Sequence, residues 1–327
     1  MNTLNFFIAS VLSACPLLFG TLGETLTERS GNLNLGVEGM MFMGGIAGLA
    51  GSYYYETLSE NPVVWVSVVI AIVCSFLCAA FGALIYSVLT ITFRANQNVT
   101  GLALTIFGTG FGNFFGELLS NSAGGYAAVG NATKVAFNAP ISATLASSSV
   151  VGKLLFSYNF LVYIALALAL FLTYFINHTR TGLNLWAVGE RHAAADAAGI
   201  NVTRYKYLAT CIGGGITGLG GMYIVMNSAS GVGGVWVHNC ISGYGWLSVA
   251  LVIFAMWHPS RAIFASFVFG ALSVARFYFP VSFLPDAIYE VVPYIATIVV
   301  LISVSMRSRR RLQPPASLGL AYFREER

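Results

Sequence analysis

The sequence predicts an all-α protein, a polytopic transmembrane helical bundle of about nine spans, with eight to ten as bounds. Three observations predict it. Of 327 residues, 57% are hydrophobic and 9% charged, against roughly 25% charged in a soluble domain. The stretch from Val63 to Phe93 carries no Asp, Glu, Lys or Arg, and roughly 20 apolar residues suffice to cross a bilayer. The apolar runs also lack the alternation of barrel strands. Helices, which satisfy their own backbone hydrogen bonds, are then the way through lipid.

The spans read Leu4 to Leu22, Leu35 to Tyr54, Val63 to Phe93, Val99 to Leu119, Phe160 to Ile176, Tyr207 to Asn227, Tyr244 to Trp257, Ile263 to Phe279 and Ile288 to Met306. The first opens MNTLNFFIASVLSACPLLFG, without a basic leader region or a small-x-small cleavage site, and is expected to be a retained helix. Gly44 and Gly48 in the second span, and Gly214 and Gly218 in the sixth, repeat at four residues and let helix backbones approach closely. Asn113 and Glu117 lie one turn apart in the fourth span, on a face expected to point into the bundle. The segment from Ser120 to Asn159, rich in Ser, Asn, Ala and Gly, reads as an outer loop with a short interfacial helix. Residues 1–306 form the membrane domain and 307–327 a basic tail.

Basic residues set the orientation. A cytoplasmic C-terminus puts Arg29, Arg94, Arg180, Arg191, Arg204, Lys206, Arg261, Arg307, Arg309, Arg310, Arg311, Arg324 and Arg327 inside. Only Lys134, Lys153 and Arg276 of the 16 Lys and Arg then lie toward the outer side. The chain is therefore expected to cross a membrane several times.

Several chemistries are missing. Gly152 and Lys153 are followed by Leu154 without the preceding glycine of a phosphate-binding loop, so the chain has no motif for hydrolysing ATP itself. Gly213, Gly215 and Gly218 satisfy GxGxxG, but inside an apolar span rather than after a strand, so packing is the better reading. His178, His192, His238 and His258 are scattered, with no metal-ligand spacing, and no catalytic triad proposes itself. No metal, no cofactor and no catalytic residue is predicted. Cys15, Cys74, Cys78, Cys211 and Cys240 contain no CxxC pair and read as small hydrophobes. The net charge of +4 is spread over loops and tail without a basic stripe, which gives no support for nucleic-acid binding.

The informative loop runs from Thr179 to Tyr207, TRTGLNLWAVGERHAAADAAGINVTRYKY. Glu190 and Arg191 stand before an alanine-rich helix ending at Gly199, where glycine permits a left-handed stop. A short firm helix on the cytoplasmic face suits docking into a partner's groove; the plain alternative is a connecting loop. Its AVGERHAAADAAGI resembles the coupling-helix motif of binding-protein-dependent permeases of the branched-chain amino acid, ribose and nucleoside group, the type II importers of the ATP-binding cassette class. ERSGNLNLGVEGMM (28–41), TFRANQNVTGLAL (92–104) and IFAMWHPSRAI (253–263) are similar to further motifs of the nucleoside and simple-sugar branch, in the same order. PPASLGLAY (314–322) resembles the ending of the shorter permease of nucleoside systems served by basic-membrane-protein lipoproteins.

The resemblance implies alternating access without covalent chemistry. It implies four kinds of partner: a second permease subunit, paralogous or identical, a cytoplasmic ATP-binding cassette ATPase that spends the ATP, an extracytoplasmic substrate-binding lipoprotein, and the lipid bilayer. It assigns coupling to Ala187, Gly189, Glu190, Arg191, Ala194, Asp196 and Gly199, and suggests a nucleoside as substrate, with a simple sugar or riboflavin as alternatives. The other functional class that fits is an ATPase-independent secondary transporter or channel, although no convincing internal repeat is seen and the one structured loop is cytoplasmic.

Polar residues inside the spans are candidates for the translocation path. Asn34 and Glu38 open the second span and either line the path or anchor helix packing, with Arg29 as a partner for the carboxylate. Asn96, Gln97, Asn98 and Thr100 could face a ribose or base edge, or form a solvated turn. Asn113 and Glu117 complete the set.

Overall fold

A computed structural model describes residues 2–227, 233–279, 286–305 and 313–323. All the regular secondary structure among them is helical, and the single β pairing is an antiparallel bridge between Ala128 and Val235. The helices are α1 Asn2–Arg29, α2 Val37–Leu58, α3 Val64–Ser87 with a π-turn Val88–Thr92, α4 Gln97–Ser122, α5 Asn131–Asn138, α6 Ala143–Ser148, α7 Val150–Phe156, α8 Phe160–His178, α9 Arg180–Glu190, α10 His192–Ala197, α11 Val202–Met226, α12 Tyr244–Phe254, α13 Pro259–Tyr278 and α14 Asp286–Ser305.

Each predicted span coincides with a helix, but six are long and apolar enough to cross a membrane on those grounds alone: α1, α3 with its π-turn, α4, α8, α11 and α13. The most instructive departure is α12. The run from Tyr244 to Trp257 reads as a full span, yet its helix has 11 residues. At 1.5 Å per residue it rises only about 16 Å, half of the hydrocarbon core. The first helix departs the other way, continuing past Leu22 to Arg29. Its hydroxyls make the extension possible: Thr21 and Thr25 donate to the carbonyls of Leu17 and Thr21 at 2.7 and 2.6 Å.

The core is built around α11, which packs against α1, α2 and α3. This proximity depends on glycine. A Cβ on Gly221 would overlap the Met41 carbonyl oxygen of α2, and one on Gly108 of α4 would overlap Gly39 of α2. Gly213, Gly215 and Gly218 lie buried within α11, where their GxGxxG spacing serves packing. Outward faces of α3 and α4 expose Val69, Val73, Leu77 and Phe81, and Ile106, Phe107 and Phe114, as surfaces turned to lipid or to another membrane subunit do.

The segment from Ser120 to Asn159 holds three short helices, α5 to α7, rather than one. It is fastened by Glu56 at the end of α2, whose carboxylate accepts from the Gly130 amide at 2.5 Å, from Ser67 at 2.8 Å and from Thr133. Lys153 on α7 reaches Asn5 at the start of α1, 3.3 Å away, so this segment caps the end of the bundle opposite to Arg29.

Candidate functional site

Between α11 and α12 the described chain resumes at Gly233 and runs beside α4. Trp236 fills the space over Gly116, where a Cβ would collide with its indole, and meets Phe42 edge-on at 6.3 Å. His238 Nδ1 lies 2.9 Å from Glu117 Oε1. Asn239, in a left-handed conformation (φ 58°), donates its amide to Asn113 Oδ1 at 3.1 Å and accepts from Asn113 Nδ2 at 2.7 Å. Asn113 and Glu117 share a face, but it is turned to this segment and not into the bundle interior: Glu117 is exposed and Asn113 half-buried.

The segment ends at Gly243, whose φ of 88° makes the turn into α12. The Gly243 amide donates to Glu38 Oε2 at 3.0 Å, and the Trp246 amide bonds the same carboxylate. A carboxylate from α2 thus caps the positive end of a half-length helix inside the bundle, which supplies orphan N–H groups and the helix dipole with a partner. The opposite end of α12 is tied to α1: Trp257 donates its indole N–H to Glu28, and Arg29 Nε donates to the Trp257 carbonyl at 3.0 Å. Arg29 is therefore engaged there and does not pair with Glu38, correcting that expectation.

Asn34 anchors the turn before α2. Its amide and Nδ2 donate to Glu24 at 3.2 and 3.1 Å, and its Oδ1 accepts from the Gly36 amide at 2.9 Å. The cluster at the start of α4 is locally committed. Asn96 caps α4 by accepting from the amides of Asn98 and Val99, Gln97 Oε1 accepts from the Leu33 amide at 2.7 Å, and Thr100 donates to the Asn96 carbonyl at 2.8 Å. Asn98 is exposed.

The loop after α8 is not one helix up to Gly199 but an elbow. Arg191 is extended (φ −151°, ψ 101°) and separates α9 from α10. The break lets α9 press onto the end of α1: a Cβ on Gly189 would overlap the Arg29 carbonyl oxygen. His192 turns inward beneath Gly31, and Val188 and Ala195 are buried with it. Gly199 (φ 82°) makes the left-handed stop, with the Ile200 amide donating back to the Ala195 carbonyl at 3.0 Å. Ala187, Glu190, Arg191, Ala194 and Gly199 are exposed, Gly189 is buried, and Asp196 borders a cavity of about 670 Å³ shared with Asn201, Arg204 and Tyr322. Glu190 accepts from the Trp186 indole at 3.0 Å, and Arg29 lies 5.3 Å from that ring's centre.

Burial and the nearby Lys206 cation hold the His192 imidazole neutral, lowering its pKa to about 3. Burial, Arg29 and Arg261 lower that of His258 to about 4. Among the described residues no group of three His, Cys, Asp or Glu converges.

Sequence reasoning did not single out Glu24, Glu28, Trp257, His238 or Asn239. The spacing of Glu24 and Glu28, one helical turn apart directly beyond an apolar run, is a readable signal for a buried acidic face. His238 and Asn239 carry none, because a tertiary contact with α4 defines them.

Comparisons with known proteins agree with this architecture. A Haloferax volcanii protein described as a candidate glucose ABC transporter permease is 32% identical, covering 97% of both chains. The guanosine ABC transporter permease of Bacillus subtilis is 31% identical over 98% of this chain and 96% of its own. The nucleoside ABC transporter permease of Lactococcus lactis is 29% identical over 92% of each. No solved structure matches the chain significantly. The profile of the permease component of branched-chain amino acid transport systems matches residues 6–301, and the chain belongs to that ABC transporter permease family, as a multi-pass membrane protein.

Proposed function

We propose that this chain forms half of the translocation path of an ATP-driven importer for nucleosides in a bacterial inner membrane. Substrate arrives from an extracytoplasmic binding protein, and a second permease subunit completes the path. ATP is spent on separate cytoplasmic subunits that dock on the α9–α10 elbow. The observation carrying this reading is the elbow itself. Its outward face consists of Ala187, Glu190, Arg191, Ala194 and Gly199, small or charged groups standing on the bundle end where α1, α11 and α12 meet. Such a face suits a groove in a partner and can push on α1 through Gly189.

The nucleoside assignment draws on two relatives whose names specify nucleoside and guanosine, and on the amides of Asn113 and Asn239 with Glu117 one turn further along α4. Paired donors and acceptors of this kind match a base edge and ribose hydroxyls. Asn34, Asn96, Gln97, Asn98 and Thr100 support the walls of the same path. Reconstitution of the chain with its co-purifying subunits tests the reading: ATP-dependent uptake of labelled guanosine, competed by other nucleosides and not by glucose, is expected. Uptake by the lone chain without ATP would refute the importer, and competition by glucose alone would refute the substrate.

A further inference from the structure

Residues 313–323, beyond α14, lie across the end of the bundle that carries the elbow. The Ser317 amide donates to the Gly189 carbonyl at 3.0 Å, and its hydroxyl to the Glu190 carbonyl at 3.1 Å. These are final carbonyls of α9, which the break at Arg191 leaves without helical partners. Two residues on, the Gly319 amide donates to the Gly31 carbonyl at 3.1 Å, in the turn between α1 and α2. The Leu320 carbonyl accepts from Gln97 Nε2 of α4 and Lys206 Nζ of α11, each at 3.5 Å. Tyr322 meets the His192 ring edge-on at 5.7 Å, and the Arg94 guanidinium lies 4.5 Å from the centre of the Phe323 ring.

Directly, the elbow meets the α1–α2 turn by close contact at Gly189 and Gly31, by the Arg29–Trp186 stack and by the non-directional attraction between Arg29 and Glu190. Packing of that kind resists compression but allows sliding. The hydrogen bonds across the joint run through Ser317 on one side and Gly319 on the other. Just beyond the turn lie Asn34 and Glu38, and Glu38 holds the start of α12.

We propose that residues 313–323 are a strap that makes the coupling elbow and the α1–α2 turn move as one body, with Ser317 as the positioning residue for the elbow. The inference rests on the importer reading above. Without the strap, a push on the elbow slides past Gly31; with it, the push reaches Glu38 and the half-helix.

The test uses the complete importer in proteoliposomes, measuring substrate uptake and ATP hydrolysis together. The double variant Ser317→Ala with Gly319→Val removes one hydroxyl donor and strains a residue at φ 80°. Uptake is expected to fall about tenfold while hydrolysis per complex is kept, since the hydrogen bonds lost are those across the joint. Ser317→Thr alone, which retains both donors, is expected to keep the wild-type ratio. A parallel fall in both activities, or no change in their ratio, would overturn the proposal.

A second variant guards against misfolding. Leu33 Cβ lies 3.9 Å from where a Cβ on Gly319 would stand, within the roughly 3.5–4.5 Å of a disulfide. Reduced, the Leu33→Cys, Gly319→Cys pair carries the strain of a side chain at φ 80° and should couple less well than wild type; cross-linking it should raise coupled uptake if the two move together. Loss of uptake on oxidation, recovered with reductant, would overturn the strap. If the wild-type complex itself shows no substrate-stimulated hydrolysis, the importer reading fails instead.

Discussion

Glu38 is the residue on which the half-helix depends, and its replacement separates a structural carboxylate from an incidental one. Glu38→Ala removes the acceptor for the Gly243 and Trp246 amides. Each buried donor left without a partner costs about 1–3 kcal/mol, and loss of a carboxylate at a helix N-terminus about 0.3–2 kcal/mol more. Relief of the desolvation that a buried acid suffers returns part of this. The net expectation is a destabilisation of about 2–4 kcal/mol, with Glu38→Gln, which keeps one acceptor oxygen, about half as large. Glu117→Ala is the control: its pair with His238 leaves the two side chains 62% and 57% exposed, and such pairs contribute about 1 kcal/mol or less. Thermal unfolding in detergent, with hydrogen exchange read at residues 243–247, gives both quantities. If Glu38→Ala unfolds within about 0.5 kcal/mol of wild type, or if the Gly243 amide keeps its protection, the capping argument is wrong.

Other expectations follow from the same geometry. Gly189→Ala pushes α9 off the Arg29 carbonyl; it should abolish substrate-stimulated ATP hydrolysis while leaving helix content, read by circular dichroism, unchanged. His192 binds protons less readily folded, at about 3, than at its ordinary 6.5. The stability it confers is therefore complete above about pH 6.5 and lost as pH falls toward 3, with about 1–2 kcal/mol gone by pH 5; His192→Gln should flatten a melting-temperature profile over that range. Ala194→Cys, exposed on the elbow, should react with an impermeant thiol reagent in inside-out vesicles and resist it in right-side-out ones. Asn113→Ala and Asn239→Ala should be non-additive in KM for guanosine, with a coupling of about 0.5–3 kcal/mol, because the two amides bond each other.

Which segments are helical was legible in the sequence because lipid allows so little else: nine apolar runs became nine helices. Their lengths were less legible. Thr21, Thr25, Glu24 and Glu28 look like the end of a span, yet back-bonding hydroxyls and the Trp257 indole make them tolerable inside one. Conversely, Tyr244 to Trp257 is apolar throughout, and nothing local announces that its beginning lies in the middle of the bundle. That is decided by Glu38, which is 205 residues away. The basic tail shows the same limit. Arg307, Arg309, Arg310, Arg311, Arg324 and Arg327 lie outside the described residues, whereas Ser317 docks on carbonyls exposed by a helix break at Arg191 and Gly319 on the Gly31 carbonyl of the α1–α2 turn. Gly199 was readable because a left-handed stop after an alanine helix is a local requirement.

Acids in the interior of an apolar bundle raise the question of what they gain, since hydrophobic residues of similar volume would cost less to bury. The donors supply an answer. Glu24 is held by Asn34 from the α1–α2 turn, Glu28 by Trp257 beyond α12, and Glu38 by amides at the start of α12. Glu24 and Glu28 also bond each other within α1, but each of the three carboxylates has a partner outside its own helix. Together they form a polar line from the elbow's floor at Arg29 to the half-helix, and the bonds to Asn34, Trp257 and Gly243 cross between elements. A shift of the α1–α2 turn along α1 therefore disturbs the Glu24 and Glu38 bonds together, whereas an apolar interface would let the helices slide with little change in energy. Groups that cannot remain buried without partners favour discrete registers over intermediate ones. If the permease opens to one side at a time, as proposed, the cost of burying these acids would disfavour the states between two such registers.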